Sequence, residues 1–550
     1  MDRSRGPLIR RRSAVALLAA PTAFLAAFFL WPVANIVGEG LRGEGVWDLS
    51  GVGEVLRDAE LRQVAWFTLW QAAVSTALTL ALGLPCAQVL ARYEFRGRRL
   101  VQALVVVPFV LPTVVVGAAF VALLGPRSPI GLHLQGSASA IVLAHAFFNL
   151  AVVVRTVGGL WEGLDPRTEE AARTLGASRW RAFNAVTRPA LRPAVASAAA
   201  ITFLFTFTSF GVVRLLGGGS RTTLEVEIYR QTAELLNLPV AAILALLQLL
   251  AVAAMLIVQD RLERRRAGAA VALAPPRRRR PRRLGERLWV GANLAFLAVF
   301  LGLPLATLVE RSFRTGDGHG LSAWRALAGN DPRSRLFVSP LEALANSVRF
   351  ASVATVLAVL LGGLAAAALA RSRGPIARAV DGLLLVPLGT SAVTVGFGFL
   401  VALDDPLDLR ASPWLVPIAQ AVIALPFVVR TMTPVLRSID PRLHEAAAVL
   451  GASPGRAWRA VDLPLVGRAV LVAAAFAFAI SLGEFGATTV IARADAPTVP
   501  IVIARLLGRP GTINAGQAYA LSTMLMLLTA GAVLLVDRWR PRGAARGGWV

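Results

Sequence analysis

The stretch DPRTEEAARTLGASRWRAFNAVTRP, residues 165–189, occurs a second time in this chain in a closely similar form. The second copy reads DPRLHEAAAVLGASPGRAWRAVDLP and covers residues 440–464, which places it 275 residues after the first. Asp-Pro, Glu-Ala-Ala, Leu-Gly-Ala-Ser and the final Pro recur at matching places. The repeat predicts that the chain is built from two homologous halves.

Each copy has the residues of a short helical hairpin. Asp165 and Asp440 are typical N-caps, and each precedes a proline, which suits the first position of a helix. Gly176 and Gly451 suit the left-handed residue that ends a helix, and a serine two residues later can cap the next one. Because this polar, Arg-rich segment lies between long apolar runs, we expect a structured loop beside a membrane.

The composition indicates a membrane protein. The chain has 550 residues, of which 56% are hydrophobic. Its net charge of +25 comes from Arg placed beside apolar runs, a pattern that favours membrane orientation over nucleic-acid binding. One cysteine, Cys86, excludes a disulfide within the chain, and four scattered His predict no metal site.

Twelve apolar runs are long enough to cross a bilayer as helices. In the first half they lie near residues 14–37, 64–90, 101–124, 139–160, 192–216 and 238–258. In the second half they lie near residues 288–310, 346–370, 379–403, 413–437, 466–491 and 516–537. Pro and Gly interrupt the runs at 101–124 and 379–403. The sequence therefore predicts an all-α polytopic protein with about twelve transmembrane helices.

The positions of Arg predict the orientation. Both ends of the chain, the loops after the second and eighth spans and both repeated loops are basic, whereas the loop after the first span is acidic. Basic loops stay in the cytoplasm. We therefore expect a multi-pass protein of the bacterial plasma membrane with both termini and both repeated loops cytoplasmic.

The repeat extends beyond the hairpins and sets the domain boundaries. Phe210-Gly211 matches Phe485-Gly486 at the same offset of 275 residues. We assign the first half to residues 1–260, a flexible Arg- and Pro-rich linker at the inner membrane surface to 261–287, and the second half to 288–550, with coupling loops at 161–193 and 437–468. Halves of six spans each share one orientation, which predicts a pseudo-twofold axis along the membrane normal and a pathway between them.

The repeated segment resembles the cytoplasmic coupling motif of ABC importer permeases, with Glu-Ala-Ala, Gly six residues after the Glu and Pro nineteen after it. The resemblance implies the type I importer permease fold and an ATPase-coupling role for Glu170, Ala171, Ala172, Gly176, Pro189, Glu445, Ala446, Ala447, Gly451 and Pro464. It further implies two ATPase subunits at the cytoplasmic face, an extracytoplasmic substrate-binding protein and the surrounding lipid as partners. A chain without Lys has no phosphate-binding loop of its own, so we expect neither enzymatic activity nor a cofactor.

Three further stretches resemble the fused thiamine importer permeases. They are LAHAFFNL at 143–150, LLGGGSRTTLEVEIYRQ at 215–231 and SLGEFGATTV at 481–490. The related fused iron(III) permeases share the coupling motif and a Gly-Glu-Phe-Gly-like segment. The resemblance thus implies import of thiamine, with iron(III) as the alternative.

Four residues are candidates for the pathway. Glu484 is the ionisable residue within a span that points most clearly to function, because a carboxylate there needs a cavity or a partner. Its counterpart in the first half is Ser209. Phe210 and Phe485, each followed by Gly, can form a constriction at the axis.

An ion-coupled secondary transporter is the alternative from another class, since it also uses twelve spans in two halves. Such a transporter needs embedded carboxylates or His for coupling, and Glu484 alone approaches that description. It also leaves the duplicated hairpins unexplained.

Overall fold

The computed structural model of the chain describes residues 11–43, 46–48, 50–268, 278–315, 318–329, 337–372, 374–404, 408–410 and 412–539. The predicted cytoplasmic ends, residues 1–10 and 540–550, lie outside this set, as do residues 269–277 of the linker.

The first half is helical apart from one small hairpin. Its α-helices are α1 (Arg11–Leu25), α2 (Trp31–Leu41), α3 (Ser50–Arg57), α4 (Ala59–Arg92), α5 (Arg98–Val110), α6 (Thr113–Leu124), α7 (Ala138–Gly163), α8 (Pro166–Thr174), α9 (Arg179–Ala182), α10 (Arg188–Phe207), α11 (Gly211–Leu216), α12 (Leu224–Tyr229) and α13 (Leu238–Gly268). π-Helical turns cover Ala26–Leu30, Phe183–Thr187 and Arg230–Glu234, and the strands β1 (Arg42–Gly43) and β2 (Val46–Trp47) pair antiparallel.

The second half repeats this order. Its α-helices are α14 (Leu284–Ser312), α15 (Ser322–Arg325), α16 (Pro340–Arg371), α17 (Pro375–Gly389), α18 (Ala392–Ala402), α19 (Leu415–Arg437), α20 (Pro441–Val449), α21 (Pro454–Ala457), α22 (Leu463–Leu482), α23 (Gly486–Ile491), α24 (Val499–Leu507) and α25 (Thr512–Trp539). A π-helical turn covers Trp458–Asp462, and β3 (Arg314–Thr315) pairs antiparallel with β4 (Gly318–His319).

The all-α polytopic fold is confirmed. Within the described residues nine helices are long and apolar enough to cross a membrane, and the count rises to eleven if two bent helix pairs are each one span. Those pairs are α5 with α6, bent by 100°, and α17 with α18, bent by 102°, where the sequence predicted interrupted runs. The twelfth predicted run, near 516–537, lies within the 28-residue helix α25.

Close helix packing repeats in the two halves. A Cβ on Gly83 would lie 2.8 Å from the Val153 side chain, and one on Gly362 would lie 2.7 Å from that of Val428. The hydroxyl of Thr68 accepts the N–H of Leu224 at 2.9 Å, and Ser347 accepts that of Val499 at 2.7 Å. The repeat in the sequence is therefore a repeat in packing.

The halves exchange their first helices. α1 packs against α16 and α17 of the second half, while α14 packs against α4, α5 and α6 of the first. Helix α2, which continues the first span after α1, also contacts the second half. Trp31 Nε1 of α2 donates a hydrogen bond to the carbonyl of Ala402 in α18 at 3.3 Å. One apolar core includes Phe147 and Phe207 from one half and Phe397 and Leu482 from the other. The two halves form one body although the sequence describes two repeats.

Helices extend into both ends of the predicted linker at residues 261–287, because α13 continues to Gly268 and α14 starts at Leu284. The described part of the linker that begins at residue 278 contacts the first half. The backbone N–H of Arg279 donates to the Arg92 carbonyl at 3.1 Å, and its own carbonyl accepts the N–H of Glu94 at 3.0 Å. The Arg279 guanidinium lies 5.4 Å from the centre of the Tyr93 ring.

Candidate functional site

The first hairpin forms as its capping residues predict. Asp165 accepts the backbone N–H of Arg167 at 3.0 Å, and Ser178 accepts that of Arg181 at 3.3 Å. Between α8 and α9, Gly176 has φ +90°, a conformation that side chains with a Cβ rarely adopt. Each cap satisfies a backbone N–H at a helix end, so the turn is fixed by local bonds.

The second hairpin has the same construction. Asp440 accepts the N–H of Arg442 at 3.0 Å, Gly451 has φ +75°, and α21 begins directly after Ser453. Nothing lies within 4 Å of a Cβ built on Gly176 or Gly451. These two glycines are therefore required for backbone conformation, and space around them is not a constraint.

A polar contact inside each hairpin ties its first helix to the π-helical turn. Thr187 donates its hydroxyl to Glu169 at 2.8 Å, and Arg92 of α4 lies 3.9 Å from the same carboxylate. At the equivalent positions of the second half, His444 Nε2 lies 2.8 Å from Asp462 Oδ2. The two hairpins thus have a contact at equivalent positions, formed by a hydroxyl and a carboxylate in the first and by an imidazole and a carboxylate in the second.

This pair of contacts was not predicted, because the sequence motif pointed to Glu170 and Glu445 one residue further along. Those two glutamates are exposed, as are Ala171, Ala446, Pro189 and Pro464, while Ala172 and Ala447 are half-buried. The offset of 275 residues between the repeats could have indicated these contacts, because it aligns Glu169 with His444 and Thr187 with Asp462.

The hairpins also expose large apolar side chains. Leu175 is 89% exposed and Trp180 71%, and in the second hairpin Val449 and Leu450 are 87% and 86% exposed. Side chains this large and this exposed on a polar, Arg-rich segment are typical of a surface that binds another protein.

Each hairpin continues into a membrane helix through a π-helical turn. α10 starts one residue before Pro189 and α22 one residue before Pro464, so each proline sits where a helix tolerates it. The two helices end at Phe207 and Leu482, and a short break follows each. The predicted runs 192–216 and 466–491 are therefore interrupted near their far ends.

The breaks bring Phe210 and Phe485 together between the halves. Their ring centres are 5.1 Å apart at an angle of 39°, and Phe210 also lies 5.4 Å from the Tyr229 ring. Both phenylalanines are buried. Helix packing is close here, because a Cβ on Gly211 would lie 2.4 Å from the Thr113 hydroxyl. The two residues selected as a constriction are thus in contact.

The two polar pathway candidates are bonded within the protein. Glu484 accepts the backbone N–H groups of Ala487 at 2.8 Å and Thr488 at 2.9 Å, which caps the start of α23. Ser209 lies 2.8 Å from His145 Nε2, and the other ring nitrogen of His145 lies 3.3 Å from Ser75. Both candidates are buried, and backbone capping accounts for the carboxylate of Glu484 without a ligand.

His145 was likewise not predicted as a site residue, although it lies in the stretch LAHAFFNL that resembles the thiamine permeases. Its contacts join α7 to α4 and to the break after α10. Across the described residues, no group of three or more His, Cys, Asp or Glu is placed to hold a metal ion.

Two similar halves, each with an exposed hairpin that continues into a long apolar helix, have the arrangement expected of a membrane transport permease. The chain belongs to the family of binding-protein-dependent transport system inner membrane components, whose model matches residues 79–268 and 358–542. The match in two repeats confirms the predicted class of ABC importer permease, a multi-pass inner membrane protein that is not an enzyme.

Several relatives are similar to this chain over most of its length. The thiamine transport system permease protein ThiP of Brucella abortus (strain 2308) is 28% identical over 503 residues, covering 88% of each chain. ThiP of Escherichia coli (strain K12) is 27% identical, covering 86% of this chain and 88% of its own. A chain of a bacterial ABC transporter involved in alginate import is 15% identical with a TM-score of 0.41, covering 48% of this chain and 97% of its own.

Proposed function

We propose that this permease imports thiamine, with the translocation pathway between its two halves and ATP hydrolysis supplied by two separate ATPase subunits. An extracytoplasmic binding protein would deliver the solute. The proposal of thiamine rests on the similarity to the thiamine permeases of Brucella abortus and Escherichia coli, each matched over more than four fifths of both chains.

The coupling role rests on one continuous connection. Each exposed hairpin passes through a π-helical turn into α10 or α22, and each of these helices ends three residues before Phe210 or Phe485. An ATPase subunit that moved the hairpin would shift the far end of the helix, since an α-helix transmits displacement along its axis. Two hairpins imply two such subunits.

The residues of the coupling motif would divide this work. Gly176 and Gly451 set the turn between the helices, while exposed Glu170 and Glu445 and the exposed apolar side chains supply the docking surface. Pro189 and Pro464 start the membrane helices. The hairpins and both termini would lie in the cytoplasm, as the distribution of Arg favours.

The experiment that tests the proposal is ATP-dependent uptake by the reconstituted complex of permease, ATPase and binding protein. We expect uptake of labelled thiamine that stops when ATP is replaced by a non-hydrolysable analogue. Uptake of ferric ion without thiamine would assign the chain to the iron(III) importers, and uptake driven by a proton gradient without ATP would reject the class of importer.

A further inference from the structure

A cavity of about 470 Å³ lies between the halves, beside the contact of Phe210 with Phe485. The first half contributes Arg214 and Tyr229 to its lining, and the second half contributes Phe485, Thr489 and Arg505. The cavity is at the ends of α10 and α22 that are remote from the hairpins. Its volume suits a small organic solute.

The cavity lining is positively charged. Arg214 and Arg505 are among the lining residues, and no Asp or Glu is. Arg214 is partly compensated from outside, because its Nη2 lies 2.8 Å from Glu234, and its guanidinium lies 5.2 Å from the centre of the Tyr229 ring. In the part of the chain that the structure describes, Arg505 has no ion-pair partner within 4.0 Å.

Arg214 and Arg505 are not equivalent residues of the two repeats. The counterpart of Arg505 in the first half is Arg230, 275 residues earlier, which pairs with Glu60 at 3.1 Å and Glu227 at 3.3 Å. The counterpart of Arg214 in the second half is Thr489, which also lines the cavity. Two guanidiniums from non-equivalent positions therefore converge on one space between the halves.

We propose that Arg214 and Arg505 form a recognition site for an anionic group, a phosphate, sulfate or carboxylate, on a small organic solute entering the pathway. A guanidinium binds such oxyanions through parallel N–H···O bonds, and the rings of Tyr229 and Phe485 offer apolar faces for the rest of the solute. The site rests on the proposed function, because it assumes that this space is part of the pathway. The two guanidiniums would bind the anionic group, while a cationic ring elsewhere in the same solute would lie against Tyr229 and Phe485.

The local potential can be measured with charged thiol reagents, without knowing the solute. In a Cys86→Ala background of the full chain, Thr489→Cys places one thiol in the cavity, and Ser220→Cys places one on an exposed loop as the control. The rates of modification by a sulfonate-bearing and a trimethylammonium-bearing methanethiosulfonate are compared. We expect the ratio of anionic to cationic rates to be about tenfold higher at position 489 than at position 220.

Two variants test which residues create the potential. Adding Arg505→Gln should lower the ratio at position 489 to that of the control, while Arg505→Lys should preserve it. Arg493→Gln, whose guanidinium pairs with Asp495 at 2.9 Å on the surface, should leave the ratio unchanged. Equal ratios at both cysteines, a ratio insensitive to Arg505→Gln, or no reaction at position 489 would each overturn the proposal.

Uptake by the reconstituted complex separates this proposal from that of thiamine transport. If thiamine is not transported but the potential at position 489 depends on Arg505, the solute is wrong and the anion site stands. If thiamine is transported and the potential shows no dependence on Arg505, the site is wrong and the function stands.

Discussion

The rings of Phe210 and Phe485 are in contact across the two halves, with their centres 5.1 Å apart, although the residues are 275 positions apart in the chain. Equivalent residues of two repeats can meet only near the pseudo-twofold axis that relates them. The contact therefore marks the axis, and it lies where α10 and α22, the helices that continue from the hairpins, have ended.

We predict that Phe485→Leu and Phe210→Leu each destabilise the conformation in which these two residues close the pathway by their contact. Leucine keeps an apolar side chain but loses the contact between rings, which is worth about 1 kcal/mol beyond buried area. Basal ATPase activity of the reconstituted complex should rise about three- to tenfold. Phe24→Leu is the control and should not change it, because it removes a ring pair at 5.3 Å between α1 and the π-helical turn that follows. Unchanged basal activity in both axial variants would exclude the contact as a constriction.

We predict that Gly176→Pro and Gly451→Pro each uncouple ATP hydrolysis from transport while the protein remains in the membrane. Proline cannot adopt the positive φ of +90° or +75° found at these turns. Because a side chain meets nothing within 4 Å there, Gly→Asn variants are the matched controls, and asparagine tolerates the left-handed region. Transport per ATP hydrolysed is the measurement. Full coupling in the proline variants would refute the assignment of the hairpins as levers.

The features that the sequence could predict are those with local or repeated chemistry. The caps at Asp165, Asp440 and Ser178 follow from residue type and spacing, and the contact of Phe210 with Phe485 follows from the offset between the repeats. Hydrophobic runs indicated where helices would form. They could not indicate that α1 and α14 pack on the opposite halves, because a lipid-facing and a helix-facing apolar residue look alike in sequence.

The unpredicted parts of the site depend on contacts that only the fold creates. The carboxylate of Glu484, which the sequence predicts to line the pathway, also caps backbone N–H groups that the break before α23 exposes. Arg214 and Arg505 occupy non-equivalent positions, so the repeat gave no reason to pair them. Both cases involve a polar group whose partner is set by tertiary structure.

We predict that the contact between His444 and Asp462 can be replaced by the pair used in the first hairpin. His444→Glu alone would put two carboxylates together and should lower coupling and thermal stability, by about 1–3 kcal/mol. The double variant His444→Glu with Asp462→Thr recreates the pairing of Glu169 with Thr187 and should recover most of the loss. A double-mutant cycle on melting temperature and coupling measures the interaction. Additive losses would show that these side chains do not act as a pair.

We predict that the hairpins and the linker lie on the cytoplasmic side. In a Cys86→Ala background, a cysteine at exposed Arg280 should resist impermeant thiol reagents in intact cells, while one at exposed Ser220 should be labelled. Lysed cells, in which both positions should react, provide the control for accessibility. Labelling of position 280 without lysis would reverse the proposed orientation.

The last prediction concerns Glu484, whose carboxylate accepts two backbone N–H groups and is buried. Glutamine replaces one of the two acceptor oxygens with an NH2 donor. Glu484→Gln should therefore leave one buried backbone N–H unsatisfied, at a cost of about 1–3 kcal/mol. We expect melting temperature and transport to fall together. Ser481→Ala is the matched control, because the Ser481 hydroxyl is buried with no hydrogen-bond partner among the described residues. Loss of uptake per assembled complex at unchanged melting temperature would instead place the carboxylate in the pathway.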